Sequence, residues 1–515
     1  MMRSIATVST GTLASRLTGF LRDALIAALL GAGLAADAFL LAFQFVTVAR
    51  RLTTEGALNA ALVPQWLRVR RDDGEAAARA FAGRVLGTVG VIVLAATLAL
   101  GLALPFLIGS LAPGREGEAQ ALAVQTGRLM LPYLAFAGPA AVLLGLFNAQ
   151  GRHAMAAFSP LAFNLLLIAV TGALLAAGLA DPRHAALILA AAIGIAGCLQ
   201  LAAIALAGRG KAPAAPLAVT LDRDMRDFLS QAWPGMAASA GPQLLMALGA
   251  VLAAASPSVV AWLYFAGRLV ELPLGLAGMN IGAVLVPATA RAAHADDAAN
   301  LARVTSRALE LALALALPAA FALAVLAAPI VRALFEHGAF TAPDSAGTAR
   351  ALAVLALSLP AHVLIKTLSA VCFAQGDTRT PLHLMLIGLA AALALGLALP
   401  AWLGATAGIG AALTLAAWCN AALLGFAVRR RFGFSPDAGA RRRLPAILFA
   451  SLIMSALVGA AHYLLADLAA ERMAATSLLG GLVVLGLVVY GALLRLFGAL
   501  DAAALRRAWR DGAAP

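Results

Sequence analysis

Charged residues are scarce in this 515-residue chain. They make up 12% of it and hydrophobic residues make up 63%, whereas a soluble domain carries about 25% charged and about 45–50% apolar residues. A chain of this length and composition cannot cover its apolar surface with polar groups. We therefore expect most of it to face lipid, and the lack of a long polar stretch argues against a separate soluble domain.

The cysteine and histidine residues show no pattern of a metal site, a disulfide framework or a catalytic site. Cys198, Cys372 and Cys419 lie far apart in apolar segments, without the spacing of a metal site or a disulfide framework. The histidines form no ligand cluster, and no carboxylate pair or nucleophile–base trio stands out. The sequence therefore predicts no metal, no cofactor and no enzyme.

Negative charge is also limited, which leaves a formal net charge of +13. In a soluble protein this excess would suggest a nucleic-acid partner. Here nearly all of it is arginine, since only Lys211 and Lys366 are lysines, and the arginines lie mostly in short loops between apolar runs. Membrane orientation accounts for such loops, so we predict no nucleic-acid binding.

Apolar runs long enough to cross a bilayer, which takes about 20 residues, recur along the whole chain. The first run follows Arg3 without a small-residue cleavage site, which predicts an uncleaved first span. We predict an all-α integral membrane protein with about 14 spans, at residues 7–30, 36–66, 82–110, 124–149, 155–180, 185–207, 228–254, 258–289, 305–328, 345–374, 382–400, 405–428, 444–467 and 474–496. Runs longer than a bilayer needs predict tilt or kinks.

The loop arginines support an even number of spans. If the N-terminus is cytoplasmic, the loops on the opposite side hold only Arg115, Arg183, Arg332 and Arg472, and the remaining loop arginines share the cytoplasmic side. A miscounted span would invert this asymmetry from that point onward. We therefore predict a multi-pass protein of the inner (cytoplasmic) membrane with both termini in the cytoplasm.

Two pairs of segments indicate an internal duplication. Residues 38–64 and 261–287 align without a gap, and residues 148–151 match residues 373–376 at almost the same offset. A repeat of six spans predicts two parallel lobes related by a pseudo-twofold axis along the membrane normal. The predicted domains are an N-lobe (1–208), a cytoplasmic linker (209–227), a C-lobe (228–430), and two extra spans with a cytoplasmic tail (431–515).

Charged residues inside the spans are the strongest functional signal, because an arginine at the bilayer centre costs roughly 2.5–3.5 kcal/mol. Span one holds Ser15, Arg16, Arg22 and Asp23 in its middle third. Span two holds Asp37, Arg50, Arg51 and Glu55, and span eight holds Arg268 and Glu271.

Two explanations of these charges remain open. The charges could form structural ion pairs that stabilise the packing of the helices, such as Arg22–Asp23, Arg51–Glu55 and Arg268–Glu271. Pairing leaves arginines in excess, however, and guanidinium groups favour phosphate and carboxylate. A cationic cavity for an anionic substrate is therefore the functional alternative. Lys366, one turn after His362, is a further candidate, although it could equally lie in a hydrated groove or pair with another helix.

The charged residues belong to an ordered series of short motifs. The N-terminal part contains Ser15-Arg16, Gly19-Phe20, Arg22-Asp23-Ala24, Gly31-Ala32-Gly33, Asp37-Ala38-Phe39, Arg50-Arg51, Glu55-Gly56-Ala57 and Val63-Pro64. Later motifs are Arg268-Leu269 with Glu271, Pro273-Leu274-Gly275, Leu285-Val286-Pro287, residues 335–341 (FEHGAFT) and residues 374–381 (AQGDTRTP). From about residue 5 to residue 500, this series resembles the MurJ (MviN) lipid II flippase family of the MOP exporter superfamily.

The resemblance implies a two-lobe flippase that carries the undecaprenyl-pyrophosphate-linked peptidoglycan precursor to the periplasmic leaflet by alternating access. It implies that Arg16, Arg22, Arg50 and Arg268 line the central cavity and that Asp37 and Glu55 act in gating or cavity structure. Ser15, Asp23, Arg51, Glu271 and Lys366 are further gating or supporting candidates. The two extra spans would form a groove for the lipid tail.

The expected partners are the lipid-linked anionic substrate, membrane lipids and other cell-wall synthesis proteins. Without an ATP-binding motif, coupling to the membrane potential or to an ion is a hypothesis. Two departures weaken what the resemblance implies about gate ion pairs: Gln44 stands where a basic residue is expected, and Gly267 stands where an acidic one is common.

Three alternatives stay open. They are a flippase for another polyprenyl-linked glycan or a related exporter, an integral-membrane glycan polymerase, and a scaffold for cell-wall enzymes. The short extracytoplasmic loops disfavour the polymerase, and the cationic spans disfavour an exporter of cationic drugs.

Overall fold

A computed structural model describes residues 2–54, 57–111, 117–179, 181–208, 214–215, 217–223, 225–230, 232, 241–280, 298–465 and 472–499. All regular structure in these ranges is helical. The first part comprises α1 (Met2–Leu30), α2 (Leu34–Thr54), α3 (Ala57–Asp72), α4 (Gly74–Leu111), α5 (Glu118–Met130), α6 (Pro132–Ala149), α7 (His153–Ala176), α8 (Pro182–Ala207), α9 (Gly241–Ala253) and α10 (Val259–Asn280).

The second part comprises α11 (Ala298–Val325), α12 (Ala327–Phe335), α13 (Ala342–Leu355), α14 (Leu359–Ala374), α15 (Arg379–Ala398), α16 (Ala405–Phe432), α17 (Ala438–Leu464) and α18 (Arg472–Leu496). Within the described residues, ten helical segments are long and apolar enough to cross a membrane. They correspond to predicted spans three to six and nine to fourteen. The all-α, multi-span class is confirmed, and the number of fourteen stays a prediction.

Two long predicted spans are interrupted within the described residues. In span two (36–66), residues 55 and 56 between α2 and α3 lie outside those that the structure describes. Span four (124–149) breaks at Leu131 because Pro132 begins α6, and proline cannot donate the next helical hydrogen bond. Span ten (345–374) passes through a 3₁₀ turn at Ala356–Ser358, just before Pro360. Both breaks lie at a proline, which removes one hydrogen bond from the helix.

The chain divides into two compact units. The first contains residues 1–264 and 337–344, and the second contains residues 265–336 and 345–515. In the first unit α7 lies along α1, α5 packs on α2, and α6 packs on α4 and α8. In the second unit α11 packs against α14 and α17, α15 against α16, and α18 against α17. The predicted lobe boundaries stay predictions.

Three turns meet in the first unit. The Ala339 amide donates to the Ala28 carbonyl over 2.8 Å, and the Ser258 hydroxyl donates to the Ala32 carbonyl over 2.6 Å. Gly31 and Gly338 both have positive φ, and a Cβ at Gly31 would lie 2.5 Å from the Ala339 carbonyl oxygen. Glycine is therefore required for these turns to approach so closely.

Candidate functional site

Arg22 lies in the last third of α1 and its side chain is buried, with 5% of the residue exposed. Its Nε and Nη2 donate to Asp23 Oδ1 over 2.9 and 2.6 Å, and its Nη1 donates to Asn164 Oδ1 over 3.0 Å. The predicted Arg22–Asp23 ion pair is confirmed. Burying the guanidinium together with its counter-charge avoids the cost of an isolated buried ion.

Residues from distant helices hold this ion pair in place. The Asn164 side-chain amide on α7 donates to the Ser15 carbonyl over 2.9 Å, and the Tyr264 hydroxyl on α10 donates to Asp23 Oδ1 over 3.2 Å. Neither Asn164 nor Tyr264 was among the site residues predicted from the sequence. A lone asparagine in an apolar run was the available signal, since intramembrane polar side chains are commonly functional.

Aromatic rings enclose the Arg22 guanidinium. Its Cζ lies 5.6 Å from the centroid of the Phe43 ring and 5.5 Å from that of Phe163. The Phe163 ring in turn packs 5.2 Å from the Tyr133 ring. Cations are attracted to aromatic faces at these distances, more strongly when desolvated. Arg22 is thus a fixed, oriented charge within the first unit.

Arg50 lies near the end of α2 and is half-buried. It is placed beside the Tyr133 hydroxyl, which also lies within the electrostatic influence of Arg22. The same hydroxyl is 3.1 Å from Gln200 Oε1 on α8. The structure therefore brings predicted site residues of α1 and α2 into one polar, aromatic-lined region of the first unit.

Asp37 on α2 binds the start of another helix, a role that its sequence position did not predict. Only 1% of the residue is exposed, and its carboxylate accepts the Ser258 amide over 2.8 Å and the Ala261 amide over 2.9 Å. These amides belong to the start of α10, where a carboxylate satisfies unpaired N–H groups and the positive end of the helix dipole. Asp37 thus caps α10, the helix that carries Arg268.

The remaining predicted site residues differ in burial and in the unit to which they belong. Ser15 and Arg16 are half-buried on α1. In the second unit Arg268 forms the predicted ion pair with Glu271 one turn later, and Lys366 is exposed on α14. The side chain of Arg51 and the whole of Glu55 lie outside the described residues, so the predicted Arg51–Glu55 pair stays a prediction.

Long apolar helices, with the buried and paired Arg22 guanidinium among them, define this chain as a multi-span membrane protein. Its fold is similar to that of an inward-facing multidrug-resistance MATE family transporter of the MOP superfamily, with a TM-score of 0.67, 18% identity, and coverage of 81% of this chain and 94% of that one. It is also similar to a lipid II flippase MurJ in an inward closed conformation, with a TM-score of 0.77, 22% identity, and coverage of 95% and 98%.

Sequence comparison identifies the family. The model of the lipid II flippase MurJ family matches residues 26–483. A probable lipid II flippase MurJ of Rhizobium meliloti (strain 1021) is 34% identical over 524 residues, covering 100% of this chain and 97% of that protein. A lipid II flippase MurJ of Burkholderia cenocepacia is 30% identical, with 89% of each covered. The chain belongs to the lipid II flippase MurJ family, so the resemblance seen in the motifs is confirmed.

Proposed function

We propose that this chain carries lipid II, the undecaprenyl-pyrophosphate-linked peptidoglycan precursor, from the cytoplasmic to the periplasmic leaflet of the bacterial inner membrane. Family membership over residues 26–483 supports the substrate class. The grouping of Arg22 and Arg50 around the Tyr133 hydroxyl, in one polar region of the first unit, is the single structural observation that carries the proposal. A substrate with a pyrophosphate group needs cationic groups inside the membrane, and guanidinium groups match phosphate oxygens in charge and geometry.

The proposed substrate-binding residues are Arg16, Arg22, Arg50 and Arg268. Arg22 has its charge and its hydrogen bonds committed to Asp23 and Asn164. We therefore propose that Arg22 holds the aromatic-lined region in place without contacting the phosphate, and assign direct phosphate contacts to the half-buried Arg16 and Arg50. Asp37 acts by capping α10 rather than by touching substrate. Ser15, Asp23, Arg51, Glu55, Glu271 and Lys366 are proposed as supporting or gating residues.

The test is complementation of a bacterium depleted of its own flippase, with lipid II in the outer leaflet as the readout. We expect Arg16→Ala and Arg50→Ala to lower translocation roughly 10- to 100-fold, because a hydrogen bond to a charged group contributes about 1.5–3 kcal/mol. Arg128→Ala is the matched control, since Arg128 is exposed in the last turn of α5.

Normal translocation by both variants, with expression equal to wild type, would exclude the proposed arginine site. Arg22→Lys adds a second readout, because a lysine keeps the charge but cannot form the forked bonds to Asp23 and Asn164. We expect it to lower stability and transport together, whereas Arg16→Ala and Arg50→Ala lower transport alone. The same strain, treated to collapse the membrane potential, tests the proposed coupling.

Transport of another polyprenyl-linked glycan is the second candidate. The likeness to MATE and other MOP-superfamily folds supports a shared architecture with exporters of different cargo. Translocation of a lipid-linked glycan other than lipid II, with lipid II unmoved in the same membranes, would favour this candidate. A glycan polymerase instead predicts new glycosidic bonds in membranes that contain the chain and lipid II.

A further inference from the structure

An extended segment, residues 217–222, lies along α4 in the first unit. We call it the linker segment, because it belongs to the stretch that was predicted to connect the two lobes. Its bonds to α4 follow the same order in both elements: the Ala218 amide donates to the Gly83 carbonyl over 3.4 Å, and the Thr88 hydroxyl donates to the Thr220 carbonyl over 3.0 Å. The segment and α4 therefore run in the same direction.

A small residue on α4 allows this close approach. A Cβ at Gly87 would overlap the Ala218 carbonyl oxygen. The backbone of the linker segment thus packs directly on the helix. An extended segment turns successive side chains to opposite sides, so fixing one edge against α4 also fixes which side chains point away from it.

The outward-facing side chains are apolar. Leu217, Val219 and Leu221 alternate along the segment, and 69%, 58% and 58% of these residues are exposed. Three large aliphatic side chains in one exposed row are unusual on a surface that faces water. The row indicates an apolar partner.

The position on α4 identifies that partner as lipid. Helix α4 has 38 residues and is about 57 Å long, so it extends well beyond the roughly 30 Å hydrocarbon core. Its exposed apolar surface begins at Val91 and Ile92, about one turn after Thr88, the residue bonded to the segment. The aliphatic row therefore continues the lipid-facing surface of α4 toward the membrane interface.

Charged residues next to the linker segment limit how deeply the segment can lie in the bilayer. Arg84 Nη1 lies 3.3 Å from Asp222 Oδ2, and Arg223 and Arg226 are exposed immediately beyond the segment. Guanidinium groups beside an aliphatic row are typical of the boundary between headgroups and acyl chains, where they meet phosphates while the apolar side chains enter the hydrocarbon.

We propose that the linker segment is an interfacial membrane anchor, in which Leu217, Val219 and Leu221 lie against the acyl chains. The side chains of Arg223 and Arg226 turn back along the segment to contact lipid phosphates, as the 2.9 Å bond from Arg226 Nε to the Leu221 carbonyl indicates. The anchor holds the connection between the predicted lobes against the bilayer surface. It is independent of the proposed transport activity, because none of its residues belongs to the proposed arginine site.

The test uses the full chain without its three native cysteines, reconstituted in phospholipid vesicles with brominated acyl chains. A polarity-sensitive fluorophore is attached to Leu217→Cys, Val219→Cys or Leu221→Cys. Ile92→Cys serves as the lipid-facing reference and Asp72→Cys, exposed at the end of α3, as the aqueous reference. We expect the three segment positions to lose fluorescence to the brominated lipid well above Asp72→Cys and to resist aqueous iodide.

Iodide quenching of the segment positions equal to that of Asp72→Cys would overturn the proposal. It would indicate that the exposed row contacts a protein partner instead of lipid. A second measurement avoids relying on labelled variants. We expect Arg223→Gln with Arg226→Gln to weaken binding of a fluorescent anionic phospholipid in detergent, while Arg68→Gln with Arg70→Gln, on α3, leaves it unchanged. Equal binding by both double variants and the parent would contradict the phosphate contacts.

Discussion

Asp377 serves two partners at the start of α15. Its carboxylate accepts the Thr380 amide over 2.9 Å and Arg431 Nη1 over 2.8 Å. Partial burial alone would raise the pKa of Asp377, but the hydrogen bonds from Thr380 and Arg431 outweigh that effect and hold the pKa below its usual value. The charged carboxylate is therefore the form that stabilises the fold.

We expect Asp377→Ala to lower the free energy of unfolding by about 1 kcal/mol at neutral pH, as the loss of a helix cap does. A lowered pKa gives stability that is complete above the usual pKa of aspartate and is lost as the pH falls through the lowered value. The difference between Asp377→Ala and the parent should therefore shrink in acid. Thermal unfolding in detergent across a pH series measures it, with exposed Asp227→Ala as the control; a pH-independent difference would contradict the prediction.

At the scale of residues, the sequence predicted the contacts between near neighbours and missed the distant ones. Arg268–Glu271 could be predicted because residues three apart lie on one face of a helix, and Arg22–Asp23 because the two residues are adjacent in the sequence. Asn164 joins Arg22 across 142 positions, and Asp37 reaches the Ser258 amide across 221 positions. Nothing local in a sequence specifies which helix start a distant carboxylate will cap.

Among the turns between helices, those that contact another turn or helix leave no room for a side chain. Gly338 has a φ of +59°, and a Cβ there would overlap the Ala28 carbonyl oxygen at the end of α1. Gly151, with a φ of +78°, has open space around its Cα. The two glycines have similar backbone conformations and differ in what surrounds them.

We expect Gly338→Ala to lower the melting temperature clearly more than Gly151→Ala. Both variants bear the left-handed backbone cost of roughly 1–2 kcal/mol, and Gly338→Ala adds the displacement of the α1–α2 turn. The comparison, made by thermal unfolding in the same detergent, isolates the contact between turns. Equal shifts for the two variants would show that this contact contributes little.

At the scale of the whole molecule, charged contacts within each unit join ends that the arginine pattern placed on the same side. The Arg183–Glu118 pair, 2.7 Å apart, joins two ends predicted to be periplasmic. The Arg84–Asp222 and Arg431–Asp377 pairs each join two ends predicted to be cytoplasmic. The turns at Ala32, Ser258 and Ala339 also share a side, which requires an even number of crossings between them.

The orientation itself stays a prediction, and reporter fusions test it. We expect alkaline phosphatase to be active when fused after Gly117 or Gly178, because both positions are predicted to be periplasmic, and inactive after Gly151. A fluorescent protein that matures only in the cytoplasm should give the opposite pattern. The reverse result at all three positions would place the N-terminus in the periplasm.

The Arg22–Asp23 pair also bears on how the chain is made. Its two members are adjacent, so the charge is neutralised as soon as α1 leaves the ribosome, whereas Asn164 is translated 142 residues later. At about 5–20 residues per second, this delay is on the order of ten seconds. During that time the Arg22–Asp23 pair can enter the bilayer without a net charge of its own, and Asn164 then fixes an arginine that is already in place.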